Sequence, residues 1–136
     1  MANETVSPEA FIIRRIPPSN EIDTVAKLDD GSLRPTSATL SLRAGEAGLS
    51  CSQAAITSPE QLLKQIGKTG ADGWMVAKWL VSDVPKELEV VVTPSDPPAL
   101  DPGHCEIRRI DGLKISKKQS SQLAKAGRIL SDSQTP

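Results

Sequence analysis

Apolar residues along this chain are gathered in short runs, and these runs predict a set of strands interrupted by two helices. The first run, Phe11–Ile16, is rich in β-branched residues and stops at Pro17-Pro18, so we expect a strand there. Residues 37–43 alternate polar and apolar positions, which is typical of a half-buried strand. Residues 49–54 predict a third strand after the turn at residues 45–48.

The clearest local signal is a helix start that follows these strands. Ser58-Pro59-Glu60-Gln61 places a serine at the N-cap, a proline at the first helical position and a glutamine where a capping box requires one. Gly67 is typical of the residue that ends a helix. We expect the helix to bury three aliphatic residues, Leu62, Leu63 and Ile66.

The second half of the chain predicts three more strands and a second helix. Residues 74–81 fit a strand or a helix by pattern, residues 82–88 predict a short helical turn, and residues 89–93 and 104–110 predict strands. Ser116-Lys117-Lys118-Gln119 repeats the capping box. Four residues then lie on one helical face: Leu123, Ala126, Gly127 and Leu130.

The predicted order of elements is β-β-β-α-β-(short α)-β-β-α, without the repeating βαβ rhythm of a parallel sheet. We therefore expect an α+β fold with a small, mostly antiparallel sheet and two main helices. A chain of 136 residues fits one domain, which we place at residues 11–130. Residues 17–36 are predicted to be a long loop, and residues 1–10 and 131–136 to be flexible ends.

Composition narrows the class of protein. Cys51, Cys105 and the single histidine, His104, are too few for a structural zinc site, so we expect no metal and no cofactor. No apolar run approaches the ~20 residues that span a bilayer, and the start of the chain lacks the pattern of a secretion signal. We expect a cytoplasmic protein with free thiols that does not bind membranes.

The net charge is only −1, but it is unevenly distributed along the chain. Residues 1–102 contain nine basic and fourteen acidic side chains, whereas residues 103–130 contain seven basic and two acidic ones. Such asymmetry is typical of a surface that binds nucleic acid or an acidic protein. It is equally compatible with two parts of one monomer that attract each other. The sequence does not indicate an oligomeric state.

Two pairs of arginines occur on predicted strands near the two ends of the chain. Arg14-Arg15 and Arg108-Arg109 are each flanked by isoleucines, and neighbouring strand residues point to opposite faces. If the strands pair, one arginine from each can form an anion site, because guanidinium groups bind phosphate and carboxylate through two hydrogen bonds. The alternative is that these are solvated positions, partly paired with nearby carboxylates.

The second basic feature is the predicted C-terminal helix. Its cations can bind the phosphates of nucleic acid, although no aromatic residue lies among them for base stacking. The alternative is an ordinary solvated face. The residues concerned are Lys114, Lys117, Lys118, Lys125 and Arg128.

The segment His104-Cys105-Glu106 carries the only histidine. On a strand His104 and Glu106 share a face while Cys105 points away, so the adjacent cysteine and histidine do not form a catalytic pair. A lone histidine beside a strand start can be structural, yet its titration near neutral pH also allows proton transfer.

The order of Arg14 or Arg15, Ser50 and Glu106 resembles the Arg–Ser–Glu order of the ADP-ribosyltransferases. That resemblance implies an arginine that holds the dinucleotide, a serine that supports the site and a glutamate that assists the transfer. The paired carboxylate of the family is absent, because His104 stands two residues before Glu106.

A broader resemblance covers most of the chain. The segments Arg-Arg-Ile-Pro-Pro, Gly-Leu-Ser, Pro-Ser-Asp-Pro and Gly-His-Cys-Glu-Ile are similar to those of small bacterial proteins of comparable length that have no established activity. The resemblance implies a self-contained bacterial domain and no particular mechanism.

Two functional hypotheses result. The first is a non-enzymatic accessory or interaction domain whose basic C-terminal third binds an acidic protein or nucleic acid. The second is a small transferase or hydrolase built from Arg14, Ser50, His104 and Glu106, together with Arg108 of the last predicted strand. The second hypothesis requires these side chains to converge, and it fails if Arg14 and His104 lie on opposite sides of the sheet.

Overall fold

The computed structural model describes residues 4–19, 22–41, 46, 48–69, 72–95 and 97–130. Its strands are β1 (Phe11–Ile16), β2 (Val25–Lys27), β3 (Leu33–Pro35), β4 (Leu49–Gln53), β5 (Met75–Leu80), β6 (Leu88–Val92), β7 (His104–Arg109) and β8 (Arg128–Ile129). The α-helices are α1 (Pro59–Lys64) and α2 (Lys117–Ala126). Short 3₁₀ helices occupy Ser37–Leu40, Val81–Asp83 and Pro98–Leu100.

Six strands form one sheet in the order β6-β7-β4-β1-β5-β8, and β2 and β3 form a separate hairpin. The strand pairs within both sheets are antiparallel. The predicted α+β class, with a mostly antiparallel sheet and two main helices, is therefore confirmed. No helix within the described residues is long and apolar enough to cross a membrane.

The sheet is covered on both faces, and the central strand β1 contributes to two cores. Ile12 and Ile16 enter the larger core, which includes Leu123 of α2. Ile13 enters a smaller core with Leu62 of α1. We call these two sides of the sheet the α2 face and the α1 face.

Both capping boxes form as predicted. The Ser58 hydroxyl accepts from the Gln61 N–H, and the Gln61 side chain accepts from the Ser58 N–H. Ser116 and Gln119 make the same reciprocal pair at the start of α2. Helix α1 is shorter than predicted, however, and Ile66 is exposed instead of buried.

Residues 17–36, predicted as a long loop, contain the β2-β3 hairpin. Its turn is held by the Asp30 carboxylate, which accepts hydrogen bonds from the Ser32 N–H and the Ser32 hydroxyl. Gly31 adopts a φ of 87°, which side chains disfavour. The strands have only three residues each, so they are too short to produce a recognisable alternation.

The strand predicted at residues 37–43 is wrong in its described part, which is the 3₁₀ helix Ser37–Leu40. Leu40 is buried in the larger core, and its carbonyl accepts a hydrogen bond from the Ser120 hydroxyl at 2.9 Å. Ala38, an apolar position of the alternation over residues 37–43, is exposed. The contact with α2 therefore overrides the local pattern. Residues 42–45 lie outside the described residues.

The C-terminal helix ends at Ala126, before the predicted end at Leu130. Gly127 is extended, and a Cβ atom at this position would lie 2.6 Å from the Trp79 ring. Trp79 is fully buried, and its indole N–H donates to the carbonyl of Leu123 at 2.8 Å. The chain leaves the helix here because Trp79 occupies the space, and it continues as β8 alongside β5.

The polar N-terminus makes ordered contacts with one edge of the sheet. The Val92 N–H donates to the carbonyl of Glu4 at 2.7 Å, and the Val6 N–H donates to the carbonyl of Val90 at 2.9 Å. Val6 is buried in the larger core. These contacts cover part of the β6 edge. The predicted flexibility of residues 1–3 and 131–136 concerns segments outside the described residues.

Replacing Gly127 with alanine should destabilise the fold by about 1–3 kcal/mol, because the added methyl group overpacks against a rigid buried ring. Urea denaturation followed by tryptophan fluorescence measures the change. Gln122→Ala, at an exposed position of the same helix, should stay within about 0.5 kcal/mol of the wild type. Equal stability of the two variants would contradict this explanation of the helix end.

Candidate functional site

Four of the five residues of the enzyme hypothesis lie together on the α1 face, namely Ser50, His104, Glu106 and Arg108. Ser50 pairs with Glu106 across β4 and β7, and Ser52 pairs with His104. Because alternate residues of a strand share a face, and Cys51 and Cys105 belong to the core on the α2 face, the polar residues of these two pairs point the other way.

Arg14 lies on the opposite side of the sheet from His104. It is at the alternate position between Ile12 and Ile16, both of which enter the core on the α2 face. Its guanidinium donates to the carbonyl of Ser50 at 2.6 Å and to the carbonyl of Thr39 at 3.3 Å. Arg14 and His104 therefore do not converge. The enzyme hypothesis requires these two side chains to meet in one site, so this geometry contradicts it.

A buried polar cluster occupies the α1 face next to these residues. Asp101 is 5% exposed, and its carboxylate accepts hydrogen bonds from the hydroxyls of Ser52 and Thr57. Ser52 is 1% exposed. The cluster fastens the proline-containing segment before β7 to the sheet, so Ser52 is a structural residue and not a free nucleophile. Sequence reasoning missed Asp101, because a carboxylate between prolines gives no signal of burial.

His104 is held towards β6. Its Nδ1 lies 2.8 Å from the carbonyl oxygen of Thr93 and 3.0 Å from the Thr93 hydroxyl. A carbonyl oxygen only accepts, so Nδ1 carries the hydrogen. Because Ser52 donates to Asp101 instead, the described residues contain no assembled serine–histidine pair.

Replacing Asp101 with alanine should lower the free energy of unfolding by about 2–4 kcal/mol, because two buried hydroxyls lose their acceptor. Thermal and urea denaturation measure the loss. Ser50→Ala, an exposed position on the same strand as Ser52, is the control and should change stability by less than about 0.5 kcal/mol. An unchanged midpoint for Asp101→Ala would contradict the structural role.

Cys51 and Cys105 are directly opposite each other on β4 and β7, and both are free and buried on the α2 face. Burial raises the pKa of the Cys51 thiol to about 11. Burial, and then the proximity of Cys51, raise the pKa of Cys105 further. Both thiols are therefore protonated at neutral pH, and neither is activated as a nucleophile.

Native protein should react with iodoacetamide at pH 8 at least about a hundredfold more slowly than the urea-unfolded chain, since the unfolded thiol pKa is about 8.5. Mass spectrometry of the alkylated protein measures the rates. The folded pKa lies above the unfolded value, so the stability that the protonated thiols provide is lost as the pH rises from about 8.5 towards 11. Fast labelling of either cysteine in the native state would contradict the burial.

The four strand arginines bind acceptors of the protein itself. Besides the contacts of Arg14, the Arg15 guanidinium donates to the carbonyl of Leu62 at 3.0 Å and caps the end of α1. Burial, and then Arg14, lower the pKa of Arg15. Arg108 pairs with Glu106 at 2.8 Å.

Arg109 pairs with Asp111 at 2.7 Å and also donates to the carbonyl of Lys114. With this pair, every one of the four guanidinium groups has a partner within the fold. The predicted anion site depends on pairing of the two arginine strands, and β4 instead lies between β1 and β7.

The basic surface of the last third is formed by α2 and its flanks. Residues 112–130 contain no aspartate or glutamate, and α2 buries Leu123 and Ala124 while its lysines face outward. We define the basic surface by its exposed lysines: Lys114, Lys117, Lys118 and Lys125. Arg128, which the sequence grouped with them, points to the α1 face, because it pairs with Lys78 and Lys78 pairs with Ile13.

A cleft of about 1420 Å³ lies between α1, the turn of the β2-β3 hairpin and β8, with the half-buried Trp74 in its lining. The lining combines cations and carboxylates, so the cleft does not select one sign of ligand charge. Sequence reasoning missed it, because its residues come from distant parts of the chain. The charged residues are Asp30, Glu60, Lys64, Lys68 and Arg128.

Among the described residues, no three histidine, cysteine, aspartate or glutamate side chains lie close enough to hold a metal ion. Comparison of the chain with protein-family models, curated proteins and solved structures gives no significant match. The resemblance to ADP-ribosyltransferases therefore rests on the order of three residues alone.

Proposed function

We propose that this protein is an interaction domain of the bacterial cytoplasm that binds an acidic protein partner through the basic surface. The observation that carries the proposal is the uninterrupted positive charge of residues 112–130, which contain the four exposed lysines of the basic surface and no aspartate or glutamate. The free, buried thiols fit a reducing compartment.

The lysines of the basic surface form no ion pair within the described part of the chain, whereas Arg128 interacts electrostatically with Asp30, which lines the same cleft. The ion pairs found among the described residues join Arg108 to Glu106 and Arg109 to Asp111. Both pairs lie on β7 and the turn after it, whereas no ion pair involves Lys117, Lys118 or Lys125 in the described ranges. This supports an external anionic partner over attraction within the monomer.

The position of the aromatic residues favours a protein partner over nucleic acid. Trp79 is buried beneath α2, Trp74 lines the cleft, and Phe11 lies beside Lys78 on the α1 face. None of these aromatic rings lies among the lysines of α2. Single-stranded nucleic acid is usually bound by stacking its bases on such rings.

The double substitution Lys117→Glu/Lys118→Glu should weaken binding of a fluorescein-labelled 20-residue polyglutamate peptide by about tenfold or more, because two attractive contacts become repulsive. Fluorescence anisotropy at several salt concentrations measures the affinity. The thermal midpoint should be nearly unchanged, since both side chains are exposed.

Lys64→Glu/Lys68→Glu is the matched control, because it changes the net charge equally at the other face of the sheet. It should bind the peptide within about twofold of the wild type once salt screens long-range effects. Equal losses of peptide affinity in both variants would show that binding depends on net charge alone, which would contradict a specific role of the basic surface. Tighter binding of duplex DNA than of the peptide, with the same dependence on Lys117 and Lys118, would assign the surface to nucleic acid instead.

A further inference from the structure

The loop between β7 and α2 exposes two aliphatic side chains beside the basic surface. Ile110 and Leu113 are each 61% exposed, the highest values among the large apolar residues of the described chain. Lys114 follows directly, and Lys117 and Lys118 open the next helix. The hydrophobic residues thus adjoin a cluster of cations.

This loop is held in one shape by its own hydrogen bonds. The Arg109 guanidinium bridges the Asp111 carboxylate at 2.7 Å and the carbonyl of Lys114 at 3.1 Å. The Leu113 N–H donates to Asp111 Oδ1 at 3.0 Å, and the Gly112 N–H donates to the carbonyl of Arg109. The φ of 81° at Gly112 is accessible to glycine without strain.

The start of the loop is also fixed to its neighbour, because the Ile110 N–H donates to the carbonyl of Glu87 at 3.0 Å. A loop that keeps its shape loses little entropy when it binds. Its two apolar side chains face water in the free protein, where they cost free energy that a partner can recover.

We propose that residues 109–114 form a docking loop for the acidic partner, in which Ile110 and Leu113 are the apolar anchors and the neighbouring lysines bind the surrounding carboxylates. This inference rests on the proposed function and specifies the partner's chemistry. The partner presents leucine, isoleucine or phenylalanine side chains within a segment rich in aspartate and glutamate. Arg109 is a positioning residue, because it holds the loop without facing the partner.

Charge complementarity favours this occupant over the other two candidates. A second copy of the chain would place two basic surfaces against each other in a two-fold dimer. An anionic membrane would be repelled by the Asp111 carboxylate, which is 49% exposed, and by the exposed Glu87 at the same end of the molecule. A folded or extended acidic segment can avoid both carboxylates while it contacts the lysines.

The test is selection of a random 16-residue peptide library displayed on phage against the immobilised protein, followed by synthesis of the enriched peptides. We expect the enriched sequences to combine acidic and large apolar residues. Ile110→Ser/Leu113→Ser should weaken their binding about tenfold or more, as measured by fluorescence anisotropy. Arg109→Ala should give an intermediate loss with both anchors still in place.

Ile56→Ser/Leu100→Ser is the matched control, since it removes two other exposed aliphatic side chains, which are 50% and 52% exposed. It should leave peptide affinity within about twofold of wild type. Thermal midpoints of all variants establish that the fold is intact.

The outcomes separate this inference from the function on which it rests. If Lys117→Glu/Lys118→Glu abolishes binding but Ile110→Ser/Leu113→Ser does not, the docking loop is overturned and the basic surface stands. If neither substitution matters, or no peptide is enriched, both are overturned. Binding to vesicles containing 30% phosphatidylserine in place of peptides, or loop-dependent dimerisation in sedimentation velocity, would also overturn the acidic-segment proposal.

Discussion

Alternation of side chains along the strands of a sheet covered on both faces decides which residues of this protein can meet. Ile12 and Ile16 must enter the core under α2, and Ile13 must enter the core under α1. Arg14 is thereby committed to one face, while His104 lies on the other, because its neighbour Cys105 fills the core. A shift of one residue in β1 would turn Ile12 and Ile16 out of the core under α2, so the separation of Arg14 from His104 follows from the packing of the core.

The arginines on the strands and the lysines on α2 form two groups of cations with different roles. The strand arginines lie close to the sheet, where carbonyl and carboxylate oxygens are within reach, and a half-buried guanidinium needs such partners. The lysines of α2 lie opposite the buried Leu123 and Ala124, so water surrounds them. Charge that is counted as one block in the sequence is therefore divided into an internal, paired part and an external, free part.

The docking loop depends on this division. Arg109, which the sequence places in a potential anion site, binds Asp111 and the carbonyl of Lys114 instead and thereby fixes the turn that exposes Ile110 and Leu113. Arg109 is therefore not part of the predicted anion site, and it stabilises the proposed docking loop instead. The polar cluster around Asp101 has a comparable structural role on the α1 face. It holds the segment before β7 against the sheet and binds the Ser52 hydroxyl.

The strands β1, β4, β6 and β7, both capping boxes and the α+β class could be predicted from local patterns, because hydrophobic period and capping chemistry act over a few residues. The exposed lysines were also predictable, since they share the outer face of an amphipathic helix. Only the tertiary structure decided that Leu40 lies in a 3₁₀ helix, that α2 ends at Ala126 because Gly127 packs against Trp79, and that the arginines are internally bound. These features depend on residues far apart in the chain that meet across the sheet, and a local pattern carries no information about such contacts.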